Sequence, residues 1–227
     1  MLFLKRTLQK YIDQEAGQDL FESITLKLNF TMPRPRSIPE EESLERALHL
    51  FWDKGFDRTS ITDLSEALGV GPSSIYNAFG SKESLYQRAI GHYMETHARF
   101  VSTIFEEAAT TPTEVGVSKL LRALAKMYSA KETPQGCALL QSGGTGTPQN
   151  SEACAFTCGV KSKIEGAIFE LFEIRLKAGD ELAASPRILS KFIIGTMGGL
   201  SQLASDGTSA KDLLEVADHA AQSCVRT

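Results

Sequence analysis

The 227-residue chain reads as all-α. Three observations predict it. Apolar side chains recur at i, i+3, i+4 and i+7 in segment after segment, the spacing of one helix face. Ser-x-x-acid capping boxes open several of these segments and glycines close them. No segment shows the period-two alternation of a half-buried strand. With 42% apolar, 23% charged and 8% aromatic residues, the chain is neither collagen-like, coiled-coil-only nor wholly disordered.

Residues 1–36 form an N-terminal extension or arm. Met32 precedes Pro-Arg-Pro-Arg, so the first 31 residues are either an extension upstream of a true initiator at Met32 or a genuine arm. A capping box at Ser37-x-x-Glu40 predicts the start of the first helix, and Leu44, Ala47, Leu48, Phe51 and Trp52 form its stripe up to Gly55. Ser60-Ile61-Thr62-Asp63 caps a second helix with Leu64, Ala67 and Leu68 on one face, stopped by Gly69. Pro72 suits the first position of a third helix, in which Ile75 and Phe79 face inward before Gly80. From Ser81, apolar positions continue to about Ala109 and predict one rod of about 40 Å. Val117, Leu120, Leu121, Leu124 and Tyr128 mark a fifth helix, and Thr133–Leu140 reads as a short sixth. A loop with Gly143, Gly144, Gly146 and Pro148 leads to a long seventh from about Asn150 to Lys177, with Gly179 at a left-handed C-cap. The eighth runs from Ser185-Pro186 to Ala204, and Ser209–Asp212 caps the ninth.

No run of about 18 apolar residues predicts a membrane span. Lys5 and Arg6 interrupt Met-Leu-Phe-Leu too early for a secretory leader, so the expected location is cytoplasmic. Four cysteines (137, 154, 158 and 224) read as thiols rather than a disulfide framework. A net charge of −4 argues against indiscriminate binding to nucleic acid or anionic lipid, so any nucleic-acid contact must be local.

The second helix, the Gly69 turn and the third helix have the geometry that places one helix in a DNA major groove while the other braces it. Helical hairpins also occur without DNA. Here the outer face of the third helix is Pro72, Ser73, Ser74, Tyr76, Asn77 and Ala78, small or hydrogen-bonding residues without acidic charge, where a solvated helix would carry Lys and Glu.

The run Ala47-x2-Leu50-Phe51-x3-Gly55-Phe56-x2-Thr59-Ser60-Ile61-x-Asp63-Leu64-x2-Ala67-Leu68-Gly69-Val70, continuing Ser74-Ile75-Tyr76-x2-Phe79-x-Ser81-Lys82-Glu83-x-Leu85, closely resembles the N-terminal domain of the tetracycline-repressor (TetR) family of bacterial regulators. The match covers about residues 37–97. Beyond residue 110 it is weaker, although Gln135–Leu140 looks like a turn seen in one branch of the family. The resemblance implies an all-α fold with an N-terminal three-helix, helix-turn-helix DNA-binding head over 37–97. A helical ligand-binding and dimerisation domain would follow over 98–227.

Carried over residue by residue, it implies that Ser60 caps the second helix and touches a phosphate with Thr62 beside it. Pro72, Ser73, Ser74 and Asn77 would lie at the major groove, and Lys82 would clamp a phosphate. Such roles fit hydroxyls, amides and helix N-termini. Tyr76 is either a phosphate or base-step contact or a half-buried core aromatic. Gly71-Pro72 departs from the polar residue many members carry, which puts base readout there in doubt. Arg34 and Arg36 are either a DNA-reaching arm or a solvated tail.

So few basic residues per head favour a homodimer on a palindromic operator. Phe192, Ile193 and Met197 with Gly195, Gly198 and Gly199, and Leu213, Leu214, Val216, Ala217 and Ala220, would build the family's four-helix interface. An intramolecular core would use the same residues.

A small-molecule effector pocket would be lined by Met94, Met127, Tyr128, Phe156 and Phe172, although such residues also serve as plain core. Cys154 and Cys158, at i and i+4, support the alternative of a helical enzyme or thiol sensor. His49, His92, His97 and His219 are scattered in sequence, and neither a metal nor a cofactor site is assigned. The expected function is that of a non-enzymatic, ligand-responsive repressor released from operator DNA by a small molecule.

Overall fold

The computed structural model describes residues 39–143 and 151–226, which contain ten helices. They are α1 (Glu40–Lys54), α2 (Ile61–Leu68), α3 (Pro72–Phe79), α4 (Lys82–Glu95), α5 (Phe100–Ala108), α6 (Thr113–Tyr128), α7 (Ala138–Gln141), α8 (Glu152–Lys177), α9 (Pro186–Ser205) and α10 (Ala210–Gln222). Among the described residues the extended pairing is a single isolated bridge, Leu182 to Val225. The predicted N-terminal arm, Ser37 and the Gly144–Pro148 part of the predicted loop lie outside the described residues.

The apolar stripes close the head. Ala47, Leu48, Phe51 and Trp52 of α1 are buried with Leu64 and Leu68 of α2, Ile75 and Phe79 of α3, and Leu85, Tyr86, Ala89 and Ile90 of α4. Tyr86 packs edge-on to Phe51 and tilted against Phe56, with centroids 5.1 Å apart in both pairs. In the body α10 lies along α6, where Ser118 donates to Asp218 at 2.8 Å and Arg122 pairs with the same carboxylate. Helix α8 packs on α9. The buried residues form one core running from head to body.

Three predicted boundaries need correction. Helix α1 starts at Glu40 behind an N-cap at Pro39 with no side-chain capping bond, rather than at the predicted capping box, whose Ser37 lies outside the described residues. Glu40, Glu41 and Glu42 in the first turn face the positive end of the helix dipole instead. The predicted 40 Å rod is two helices. The Ala98 N–H reaches back five residues to Tyr93 O at 3.0 Å, and the Thr96 hydroxyl takes His92 O at 2.7 Å, so the i−4 ladder is lost between α4 and α5. The predicted sixth helix shrinks to one turn. Pro134 has no N–H to donate, and Gly136, at φ 89°, bonds back to Tyr128 O at 2.8 Å.

Candidate functional site: the helix-turn-helix face and the junction behind it

Ser60 builds the start of α2. Its hydroxyl accepts the Asp63 N–H at 3.0 Å and donates to Asp63 Oδ2 at 2.5 Å, and the Ser60 N–H donates to the same oxygen at 2.8 Å. The Lys54 ammonium reaches Asp63 Oδ1 at 2.7 Å. Lys54 first, then Ser60, hold the Asp63 carboxyl well below the usual carboxylate range. The Ser60 hydroxyl proton is therefore already committed to the cap. Thr62, two residues on from Ser60, is exposed.

Gly69 takes φ 65°, ψ 27°, a left-handed conformation that costs an L side chain about 1–2 kcal/mol. That turn swings α3 outward. Ile75 and Phe79 are buried, while Pro72, Ser73, Asn77 and Ala78 are exposed and Ser74 is half-buried. Tyr76 is 49% exposed and does not belong to the buried core. The exposed residues of this face carry no charged side chain.

Lys82 differs from a free phosphate clamp. Its ammonium donates to Phe56 O at 3.0 Å and Thr59 O at 2.9 Å and sits 4.1 Å over the Phe56 ring. It satisfies carbonyls of the α1–α2 loop, leaving one N–H uncommitted. Arg58, in that same loop and exposed, donates from Nε to Lys54 O at 2.7 Å. Sequence reasoning passed over it because it lies in no periodic stripe.

Helix α7 joins head to body. The Phe56 N–H donates to Ser142 O at 3.0 Å, and the Tyr86 hydroxyl meets the Ser142 hydroxyl at 2.9 Å. On the body side, the Cys137 N–H donates to the Ser201 hydroxyl of α9 at 2.9 Å, and Gln141 Nε2 to Ser201 O at 3.1 Å. Tyr93 of α4 donates to Cys137 Sγ at 3.3 Å.

A second feature of the junction is a carboxylate ringed by imidazoles. Glu45 Oε1 lies 3.0 Å from His49 Nε2 and 2.9 Å from His97 Nε2, and Oε2 lies 2.8 Å from His92 Nε2. Partial burial alone would raise the Glu45 carboxyl, but hydrogen bonds and charge from His97, with His92 and His49, hold it below its ordinary value. The three histidines, scattered in sequence, thus converge on one group. No sequence signal beyond the i, i+4 pair Glu45–His49 announces it.

The five predicted pocket residues pack around one core. Tyr128 and Phe172 are fully buried, and Met94, Met127 and Phe156 are half-buried against the same core. A recess lies between Ala108, Thr113, Gly116, Val117, Leu171, Phe172 and Arg175. Phe172 alone of the five borders it. Cys154 and Cys158 lie with sulfurs 3.9 Å apart. Desolvation, then Cys158, push the Cys154 thiol up, the direction opposite to an activated thiolate.

The family described as "Bacterial regulatory proteins, tetR family" matches residues 44–89, from α1 into α4. A structure of the TetR family transcriptional regulator CifR, a cysteine mutant complexed with 26bp double-strand operator DNA, is 30% identical with a TM-score of 0.76, covering 83% of this chain and 98% of that one. The chain belongs to the TetR family. Two curated relatives from Escherichia coli (strain K12) extend the similarity along the body. The HTH-type transcriptional repressor ComR is 26% identical over 81% of this chain and 88% of its own length. The HTH-type transcriptional repressor BdcR is 28% identical over 86% and 93%. In this TetR-family chain the matched segment is the one that carries the outward face of α3. No helix among the described residues is long and apolar enough to cross a membrane.

Proposed function

We propose that the protein is a cytoplasmic, homodimeric, ligand-responsive transcriptional repressor that reads a palindromic operator with α3. The observation that carries this reading is the uncharged, hydrogen-bonding face of α3, presented by the left-handed Gly69 turn in a chain 30% identical to a regulator complexed with operator DNA. Ser73 and Asn77 would read base edges, with Pro72 and Ser74 packed close to the groove and Tyr76 against the backbone. Thr62 and the N-terminus of α2, capped by Ser60, would meet phosphate, and Arg58 and the remaining Lys82 N–H would add charge. The head would comprise residues 37–97 and the regulatory domain residues 98–227.

A face of α9 supports the dimer. Ile188, Phe192, Gly195, Gly199 and Leu203, spaced along one side, are exposed, as is Val216 of α10, while Ile193 and Met197 point into the protomer's own core. The two halves of the predicted interface therefore serve different partners.

An effector that opened the core around Met94, Met127, Tyr128, Phe156 and Phe172 would act through α7, which is bonded to both Phe56 and Ser201. Shifting the population toward heads mis-spaced for half-sites about 34 Å apart releases the DNA. The reading is that of a regulator rather than an enzyme.

Fluorescence anisotropy against DNA upstream of the coding sequence tests it, with scrambled DNA and Tyr76→Ala as controls. Saturable binding that prefers the upstream DNA and weakens about tenfold or more in the variant, in line with one lost contact of roughly 1–3 kcal/mol, supports the reading. Equal binding to both DNAs with a silent variant overturns it for that DNA and sends the search to a genome-wide pull-down.

A further inference from the structure

The Glu45 cluster holds four groups that the DNA-reading face does not use. Glu45 and His49 stand one turn apart on α1, so their side chains share a face. His97 comes from the break between α4 and α5, and His92 from the last turn of α4. The ligand atoms of Glu45, His49 and His97 all lie within 4.8 Å of one another.

Two imidazole nitrogens sit 2.9 and 3.0 Å from the same carboxylate oxygen. A tetrahedral zinc-class site with bonds of about 2.0–2.1 Å separates neighbouring ligand atoms by roughly 3.3 Å. The two Glu45–imidazole separations fall a few tenths of an ångström short of that spacing, so an ion would enter between these groups in place of the imidazole protons.

Burial grades across the group. The side chains of His92, His97, Glu45 and His49 are 9, 22, 37 and 39% exposed. One wall is closed and the opposite side faces water, as an open site with three protein ligands requires.

The rings are also held. Tyr93 stacks on His97 at 5.9 Å with an interplanar angle of 22°, and Trp52 meets the same ring edge-on at 5.9 Å. His92 grips the second carboxylate oxygen, the position of an outer partner that orients a ligating carboxylate.

We propose that Glu45, His49 and His97 form a binding site for a divalent transition-metal ion of the zinc class, with His92 positioning the carboxylate. Imidazole nitrogens select such ions over Ca²⁺ or Mg²⁺, which take oxygen ligands. The ion would tie α1 of the head to the α4–α5 break, two elements otherwise joined here by hydrogen bonds. Its binding stands independently of the DNA reading. Only its consequence, a fixed angle of the head, rests on that reading.

The test uses the full-length protein stripped with a chelator and titrated calorimetrically with ZnCl2, without DNA. The single tryptophan of the chain, Trp52, reports the same event by its fluorescence. Co²⁺ in place of Zn²⁺ adds a visible spectrum characteristic of the donor set.

The expected result is one Zn²⁺ per chain, a change in Trp52 emission, and at least 100-fold weaker binding in His49→Gln and His97→Gln. His92→Gln should weaken it about tenfold, the usual effect of an outer partner. Cys154→Ser with Cys158→Ser should leave it unchanged.

Should His97→Gln lose its helical circular dichroism, His49→Gln, at a half-exposed position, decides alone. Absence of Zn²⁺ binding in the wild type, or binding that survives His49→Gln unchanged, overturns the proposal, as does loss of binding in the cysteine variant. A second titration on DNA then separates the two readings. Zn²⁺ that binds without altering DNA affinity leaves the site standing and removes its link to the head.

Discussion

Lys82 shows how one side chain is assigned by its partners. Its ammonium closes two loop carbonyls and covers the Phe56 ring, so Lys82→Met should lower unfolding free energy by about 1–2 kcal/mol in urea titration. If bracing is its whole role, the slope of log affinity for DNA against log salt stays unchanged, whereas a lost phosphate contact reduces that slope by about one. Asp180 is a second case. Its carboxylate accepts the Thr113 N–H at 2.7 Å and the Thr113 hydroxyl at 2.6 Å, and it pairs with Arg175 at 2.7 Å, supplying the cap that Pro112 cannot give α6. Arg175, against the opposing effect of desolvation and with help from Thr113, holds the Asp180 carboxyl below its ordinary 3.8. A folded-state value below the unfolded one means that this stabilisation is present above about pH 4 and is lost as acid protonates the group. Asp180→Asn should therefore cost about 2 kcal/mol at neutral pH and narrow its gap to wild type below pH 4, as followed by circular dichroism melts.

At the scale of elements, local signals govern the ends and long-range contacts govern the breaks. Ser60, Ser81 and Ser209 each accept the N–H three residues on, which is why these starts were legible. Ser151 does the same for α8, although the sequence pattern places that start only at about Asn150. Gly69 ends α2 with a positive φ and has open space where a Cβ would stand. Gly69→Ala should thus cost only its backbone strain, about 1–2 kcal/mol, and the tilt it imposes on α3 should weaken DNA binding more than stability; melting and anisotropy together check this. The break after Glu95 was not legible, because the apolar pattern runs straight through it. What ends α4 there is a set of tertiary and side-chain bonds, His97 to Glu45 and Thr96 to His92.

At the scale of the molecule, the core runs unbroken from head to body, and α7 is hydrogen-bonded to both. The exposed stripe on α9 contributes nothing to that core. Phe192→Glu should consequently leave the melting temperature of the protomer nearly unchanged, halve the mass seen by analytical ultracentrifugation and weaken operator binding by at least tenfold. An unchanged sedimentation profile would remove this face of α9 from the proposed dimer.

The amino-acid sequence by itself determined the helical class, the helix pair joined at Gly69 and most helix starts. Capping, glycine turns and 3.6-residue periodicity act within a few residues of one another, so these features need no fold to be read. Only the tertiary structure decided which half of α9 is core, that Tyr76 is exposed and that Lys82 braces a loop. It also brought His49, His92 and His97, spread over 49 positions of the chain, onto one carboxylate. Those outcomes depend on which helices meet, and a pattern of spacings along one helix carries no record of its neighbour.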